Sequence, residues 1–160
     1  MKRLDVAIEA CQKLGWQLDI IGKGPDMDRL KKLAGSHINF LGFVDDATRE
    51  KYIKEADLFI FCSHEDFGIA PVEALAAGIP VVAYQAGGAL DYIKPGKNGW
   101  FFSEQTAEQL IKTLKELPGK KVSPVKISAT ANEFSAAIFR KSMKNIVEKS
   151  WKEYSHENRH

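Results

Sequence analysis

The chain has 160 residues, enough for one ordinary domain that buries a single hydrophobic core without disulfide or metal staples. Its 23 Lys plus Arg stand against 21 Asp plus Glu, so no strong overall field argues for a nucleic-acid partner. No apolar run reaches the roughly 18 to 20 residues that cross a bilayer, and Met1-Lys2-Arg3 leads into an amphipathic helix rather than a secretory signal, which predicts a cytoplasmic chain.

In chain order, Leu4, Ile8, Cys11 and Leu14 recur at helical spacing, and Gly15 ends that helix before a strand over 17–21. Gly22-Lys23-Gly24-Pro25 breaks the strand, Asp26 and Asp28 suit the first turn of the next helix, and 37–41 reads as a second strand. A helix over 48–56 precedes Leu58-Phe59-Ile60-Phe61-Cys62, an unbroken apolar run of the kind buried on both faces of a parallel sheet. The helix over 70–77 has Pro71 near its start and Gly78 just past its end. A strand over 79–83 follows, Gly87-Gly88 opens a short helical turn to Ile93, and a strand over 99–102 leads to a helix over 107–117. Residues 118–124 read as a linker and 125–154 as carboxyl-terminal helices. Phe134, Ile138, Met143, Ile146 and Val147 give the last of these a long amphipathic face, and 155–160 reads as a frayed tail. The alternation predicts an α/β fold over 1–154 with a parallel sheet covered on both sides. Its ligands would bind where loops leave the carboxyl ends of the strands. Cys11 and Cys62 both fall in apolar-periodic segments and read as reduced core thiols without chemistry.

The densest chemical signal is the run from His64 to Glu73, which leaves the buried strand and enters a helix with Glu65 on one side of the turn and Glu73 in the first helical turn. Free backbone N–H groups of Phe67, Gly68 and Ile69, at the positive end of the helix dipole, make a site for phosphate oxygens, and Gly68 lets a ligand approach the backbone. The plainer alternative is that both acids only complement the dipole, each contributing some tenths of a kcal/mol, roughly.

Glu65 and Glu73 with seven residues between them, followed by Ala74-Leu75-Ala76-Ala77-Gly78-Ile79-Pro80, resemble the group 1 glycosyltransferases of GT-B fold. Four further stretches fall in that family's order: Ile21 to Pro25, Phe40 to Val44, Ala86 to Asp91 and Asn98 to Phe102. The resemblance covers most of residues 2 to 150. It implies a Rossmann-like, doubly wound domain, the carboxyl-terminal half of such an enzyme. It also implies transfer of a sugar from a nucleoside-diphosphate donor (GDP-mannose or a UDP-sugar) to an acceptor hydroxyl, with retention of configuration and with neither a bound metal nor a cofactor.

Carried over by position, Glu65 contacts donor-sugar hydroxyls, and Glu73 accepts hydrogen bonds from the ribose, which suits an ionised carboxylate. Phe67, Gly68 and Ile69 hold the diphosphate or sugar through backbone N–H groups. Gly42, Phe43 and Val44 frame the base, and Gly22, Gly87 and Gly88 complete the donor-binding loops. Lys2 pairs with the diphosphate as negative charge grows on it. His64 is a secondary candidate for a donor hydroxyl or phosphate. Two mechanisms stay open. In one, the acceptor attacks on the face that the diphosphate leaves; in the other, a carboxylate such as Glu65 or Asp66 acts as nucleophile, as in retaining glycosidases.

Two lesser patterns are set aside. Gly22-x-Gly24 lacks the third glycine of a dinucleotide fingerprint, since position 27 is Met, and Asp26-Met27-Asp28 lies at a helix start, where acids are common. The sequence departs from the family at its beginning, where a strand, an arginine directed at the diphosphate and the acceptor-binding domain are expected. A sheet without that strand should expose unpaired edges. The acceptor, a saccharide or lipid-linked saccharide, would then be bound through the missing domain. Peripheral association with the inner face of the membrane and an oligomer through exposed apolar surface both remain open. So does a second class of function: a nucleotide-sugar-binding module without chemistry, or one subunit of a split transferase.

Overall fold

Apolar periodicity and glycine punctuation resolve, in a computed structural model that describes residues 2–118 and 122–157, into alternating helices and strands. They are α1 (Leu4–Leu14), β1 (Leu18–Ile21), α2 (Met27–Leu33), β2 (Ile38–Gly42), α3 (Asp46–Glu55), β3 (Phe59–Phe61) and α4 (Ile69–Ala76). There follow β4 (Val81–Tyr84), α5 (Ala89–Tyr92), β5 (Gly99–Phe102), α6 (Ala107–Lys115), α7 (Pro124–Ala129), a 3-10 turn (Asn132–Phe134) and α8 (Ala136–Glu157). The ends form for local reasons. Gly15 takes φ 68° and its N–H turns back to the Cys11 and Gln12 carbonyls, closing α1. Asp45 caps α3 by accepting the Thr48 N–H at 2.8 Å and the Thr48 hydroxyl at 3.0 Å.

The predicted α/β alternation is observed, and every strand pair is parallel. The expected doubly wound sheet is interrupted, however. β1 pairs with β2, and β3, β4 and β5 form a separate ladder in that order, with no hydrogen-bonded pairing between β1 and β3. Phe59 faces Val81 and Phe61 faces Ala83, while Val81 faces Gly99 and Tyr84 faces Phe102.

The interruption corrects the reading of 58–62 as a strand buried on both faces. β3 is short, and Phe59 and Ile60 are only half-buried, because a strand without a neighbour along one edge leaves its side chains laterally uncovered.

Helix α1 spans the two ladders. Val6, Ala7 and Ala10 pack with Cys62, Val82, Phe102, Leu110 and Leu114, and Ile8 and Cys11 pack with Ile20, Leu30 and Ile38. Leu18 and Ile60 lie against both groups. Each fully buried Leu or Ile contributes about 1.5–3 kcal/mol, so this one helix supplies much of what joins the halves. On the opposite face of the larger ladder, Phe61, Leu75, Val81, Tyr92 and Ile127 form a third cluster.

The chain after α6 differs from its sequence reading. Residues 119–121 of the expected linker lie outside the described residues. Phe134 belongs to the 3-10 turn and not to the long helix; its ring lies 5.7 Å from Phe67 and 6.2 Å from Tyr92. Helix α8 continues through Glu157, into the stretch read as a tail, and 158–160 lie outside the described residues. The side chains of 136–154 are largely exposed, among them Phe139, Met143, Ile146, Val147, Trp151 and Tyr154. Among the described residues no helix is long and apolar enough to cross a membrane.

Candidate functional site

Parallel pairing gathers the loops after β1 and β2 at one end of their ladder and those after β3 and β4 at one end of the other, and the Arg49–Glu73 contact ties the helices that follow β2 and β3 to each other. The loops are fastened in pairs. The Gly22 N–H donates to the Gly42 carbonyl at 2.7 Å, and the Gly88 N–H donates to the Glu65 carbonyl at 2.9 Å. A register break after Ile20 sets Ile21 opposite Gly42, whose φ of 69° turns the chain outward. The next side chain, Phe43, is 79% exposed, while Val44 is half-buried. Beside these two loops lies a cavity of about 420 Å³, lined in part by Lys23, Pro25, Lys31, Phe40 and Gly42.

The carboxylate of Glu65 meets Lys2. The ammonium donates to Oε1 at 2.5 Å, and the Ser63 hydroxyl holds the Lys2 carbonyl at 3.3 Å. Burial alone would raise the Glu65 carboxyl, but hydrogen bonds from Lys2 and Ser63 and the charge of Lys2 outweigh it and hold the group below the usual carboxylate range. The neighbouring Arg3 adopts φ 48°, a left-handed conformation that disfavours a side chain. Its guanidinium is tied to Asp5 at 3.2 Å and to the Gln105 carbonyl at 3.1 Å. Gln105 in turn donates to the Cys62 carbonyl at 2.8 Å, so the Lys2 turn is fixed to the end of β3.

Gly68 precedes α4 with φ 85°, and a methyl group there would lie 2.9 Å from both the Phe61 ring and the Tyr92 hydroxyl. Among the described residues the N–H groups of Phe67, Gly68 and Ile69 have no hydrogen-bond partner in the protein, and no side chain caps the helix. The start of α4 therefore leaves these three amides free at the positive end of the helix dipole.

Glu73 is displaced from its expected place. Because α4 begins at Ile69, Glu73 falls in the second turn and no acid stands in the first. It is held instead by Arg49 of α3, whose guanidinium reaches its carboxylate at 3.3 Å. Glu73 also helps line a cavity of about 480 Å³ with Phe67, Ile69, Val72, Asn132 and Phe134.

Gly87 and Gly88 support the site from beneath. A methyl group on Gly87 would come within 2.8 Å of the His64 ring, and one on Gly88 within 2.5 Å of the Phe67 Cα. Their lack of side chains lets the β4 loop lie flat on the Glu65–Phe67 backbone. His64 itself is exposed beside Gly87.

Sequence reasoning missed Arg49, Tyr92 and Gln105, and gave Asn98 no role beyond opening a family-like stretch. Asn98 is fully buried; its amide donates to the Tyr92 carbonyl at 2.9 Å and to the Thr130 hydroxyl at 2.8 Å, fastening the loop before β5 to α7. A polar residue just before an apolar strand was the signal available.

The lesser patterns are spoken for. Asp26 stands just before α2 and accepts two hydrogen bonds from Arg29, at 2.7 and 2.6 Å, without capping the helix with its side chain. Among the described residues no three His, Cys, Asp or Glu side chains converge as a metal cluster. Burial pushes the Cys11 thiol up to about 11 and the Cys62 thiol to about 12, so both stay protonated at neutral pH.

Comparison with known proteins bears on this arrangement directly. The amylovoran biosynthesis glycosyltransferase AmsK of Erwinia amylovora is 31% identical over 170 aligned positions, covering 92% of this chain and 42% of that protein. The alpha-monoglucosyldiacylglycerol synthase of Acholeplasma laidlawii is 41% identical over 101 residues, 59% of this chain and 25% of that protein. Among solved structures, the lipopolysaccharide outer core galactosyltransferase WaaB superposes with a TM-score of 0.80 at 22% identity, over 93% of this chain and 45% of that one. Anabaena Alr3699/HepE in complex with UDP and glucose superposes with a TM-score of 0.72 at 22% identity, over 91% of this chain and 45% of that one. The chain thus spans less than half the length of each of these proteins, and its fold is that of a Rossmann-like half of a GT-B glycosyltransferase. With the sequence profile of the group 1 glycosyl transferases matching residues 1–134, the chain belongs to that family.

Proposed function

We propose that the chain forms the donor-binding half of a retaining glycosyltransferase that uses a nucleoside-diphosphate sugar. The observation that carries this reading is the set of unpartnered amides of Phe67, Gly68 and Ile69 at the start of α4, beside the Lys2–Glu65 ion pair. Free amides at a helix start, with an ammonium held by Glu65 just before them in the chain, suit a diphosphate. The base lies against the Gly42–Val44 loop, the ribose hydroxyls donate to Glu73, and Glu65 accepts from hydroxyls of the sugar. The solved complex of Anabaena Alr3699/HepE with UDP and glucose supports the donor class.

In the reaction, the bond from the anomeric carbon to the diphosphate oxygen breaks as the acceptor oxygen bonds to that carbon from the same face. The acceptor proton passes to a phosphate oxygen of the leaving group. Lys2 and the α4 amides stabilise the charge that grows there, and no metal or cofactor takes part. The acceptor is a saccharide or lipid-linked saccharide held by a second domain. The exposed apolar face of α8 is the surface on which that domain packs.

Retention is tested with the chain joined to an acceptor-binding domain, following the anomeric proton of donor and product by NMR. The product should keep the donor's configuration and form equally well in EDTA. An inverted product contradicts the mechanism, and loss of transfer in EDTA contradicts the metal-free reading.

A further inference from the structure

Glu73 is one end of a three-residue tie that begins at Asp46, at the start of the helix after the base loop. Helix α3 starts directly after Val44, fixed by the Asp45 cap. One turn into it, Arg49 places Nη1 3.1 Å from Asp46 and Nη2 3.3 Å from Glu73 of α4. The guanidinium therefore links the element that follows the base loop to the second turn of the helix that opens the phosphate site.

Stability does not explain this tie. The Arg49 and Glu73 side chains are 41% and 39% exposed, and ion pairs at such exposure contribute little to folding. What the pair does fix is geometry. A glutamate free in solvent samples many rotamers, whereas a carboxylate with one oxygen on a planar guanidinium presents the other in a set direction. The positive charge also offsets that of Glu73, which would otherwise oppose an incoming diphosphate.

We infer that Arg49 is a positioning residue that orients the Glu73 carboxylate toward the ribose hydroxyls and so selects ribonucleotide over 2′-deoxyribonucleotide ligands. The inference rests on the reading of Glu73 as the ribose acceptor, and the test separates the two.

The test is calorimetric titration of the chain with UDP and GDP and with their 2′-deoxy counterparts. The unmodified chain, Arg49→Ala, Arg49→Lys, Glu73→Gln and the double variant Arg49→Ala with Glu73→Gln are compared. The unmodified chain should prefer the ribonucleotide by about tenfold or more, the scale of one hydrogen bond to a charged group. Arg49→Ala should lose most of that preference while binding of the deoxy ligand changes little, and Arg49→Lys should recover part of it. The double variant should be no worse than Glu73→Gln alone. Thermal midpoints of the single variants should stay near that of the unmodified chain, which separates positioning from a folding defect. If Glu73→Gln abolishes the preference and Arg49→Ala leaves it intact, the inference fails and the ribose role of Glu73 stands. If Glu73→Gln also leaves it intact, or the unmodified chain shows no preference, the ribose role fails and the inference fails with it.

Discussion

Lys2 and Glu65, sixty-three positions apart, hold each other at 2.5 Å. On the proposed reading, the cation meant for the diphosphate and the carboxylate meant for the sugar occupy one another until a donor arrives. Binding is then an exchange of partners. Lys2→Ala should weaken a nucleoside diphosphate by about tenfold or more. Glu65→Gln should bind the bare nucleoside diphosphate at least as tightly as the unmodified chain, yet lose the extra affinity of the sugar conjugate. Parallel titrations with the diphosphate and its conjugate check both outcomes.

The same pair sets a pH dependence. The folded-state Glu65 carboxyl lies below its usual range, so the contribution of the pair is complete above the ordinary carboxylate range and is lost as pH falls through the lowered value. Carboxyl NMR should place the Glu65 midpoint below that of an unpaired glutamate, and Lys2→Ala should raise it. An unmoved midpoint would mean that the ion pair is not formed in solution.

Gly88 allows two loops to touch. Alanine there would press on the Asp66 and Phe67 backbone, which cannot move aside as a flexible side chain can. Gly88→Ala should destabilise the fold by about 1–3 kcal/mol, the usual range for overpacking, and weaken donor binding. Urea unfolding and titration measure the two effects.

Tyr92 packs edge-on against Phe67 at 5.7 Å, and its buried hydroxyl has no partner among the described residues. Burial first, and then the charges of Glu65 and Asp91, push its ionisation upward, so the group stays neutral. Tyr92→Phe keeps the ring and removes the orphan oxygen. It should leave stability unchanged or raise it by up to about 1–3 kcal/mol, the cost of an unsatisfied buried group. A lower midpoint in thermal unfolding would contradict this.

Much of the fold was legible because its signals are local. Gly15 ends α1, Pro71 lies near the start of α4, and Gly78, with φ 83°, lies just beyond its end as expected. Strand partners are set by distant residues, and nothing local in 58–62 told that β3 would be short and open along one edge. The ladder ends that gather the loops were likewise readable from the alternation. Glu73 missed its predicted turn because helix starts shift by a residue or two. Its tie to Arg49 spans 24 positions and could not be read from spacing. The service of Gly87 and Gly88 as a floor beneath Glu65 to Phe67 became visible only from packing.

The central claim is tested most directly by titrating the purified chain with UDP, GDP and their sugar conjugates, alongside Glu73→Ala and Glu65→Ala. One nucleotide should bind, Glu73→Ala should weaken the nucleotide itself, and Glu65→Ala should act chiefly on the sugar conjugate. A well-folded chain that binds none of these ligands, or whose binding survives both substitutions unchanged, would contradict the assignment of this site to the donor.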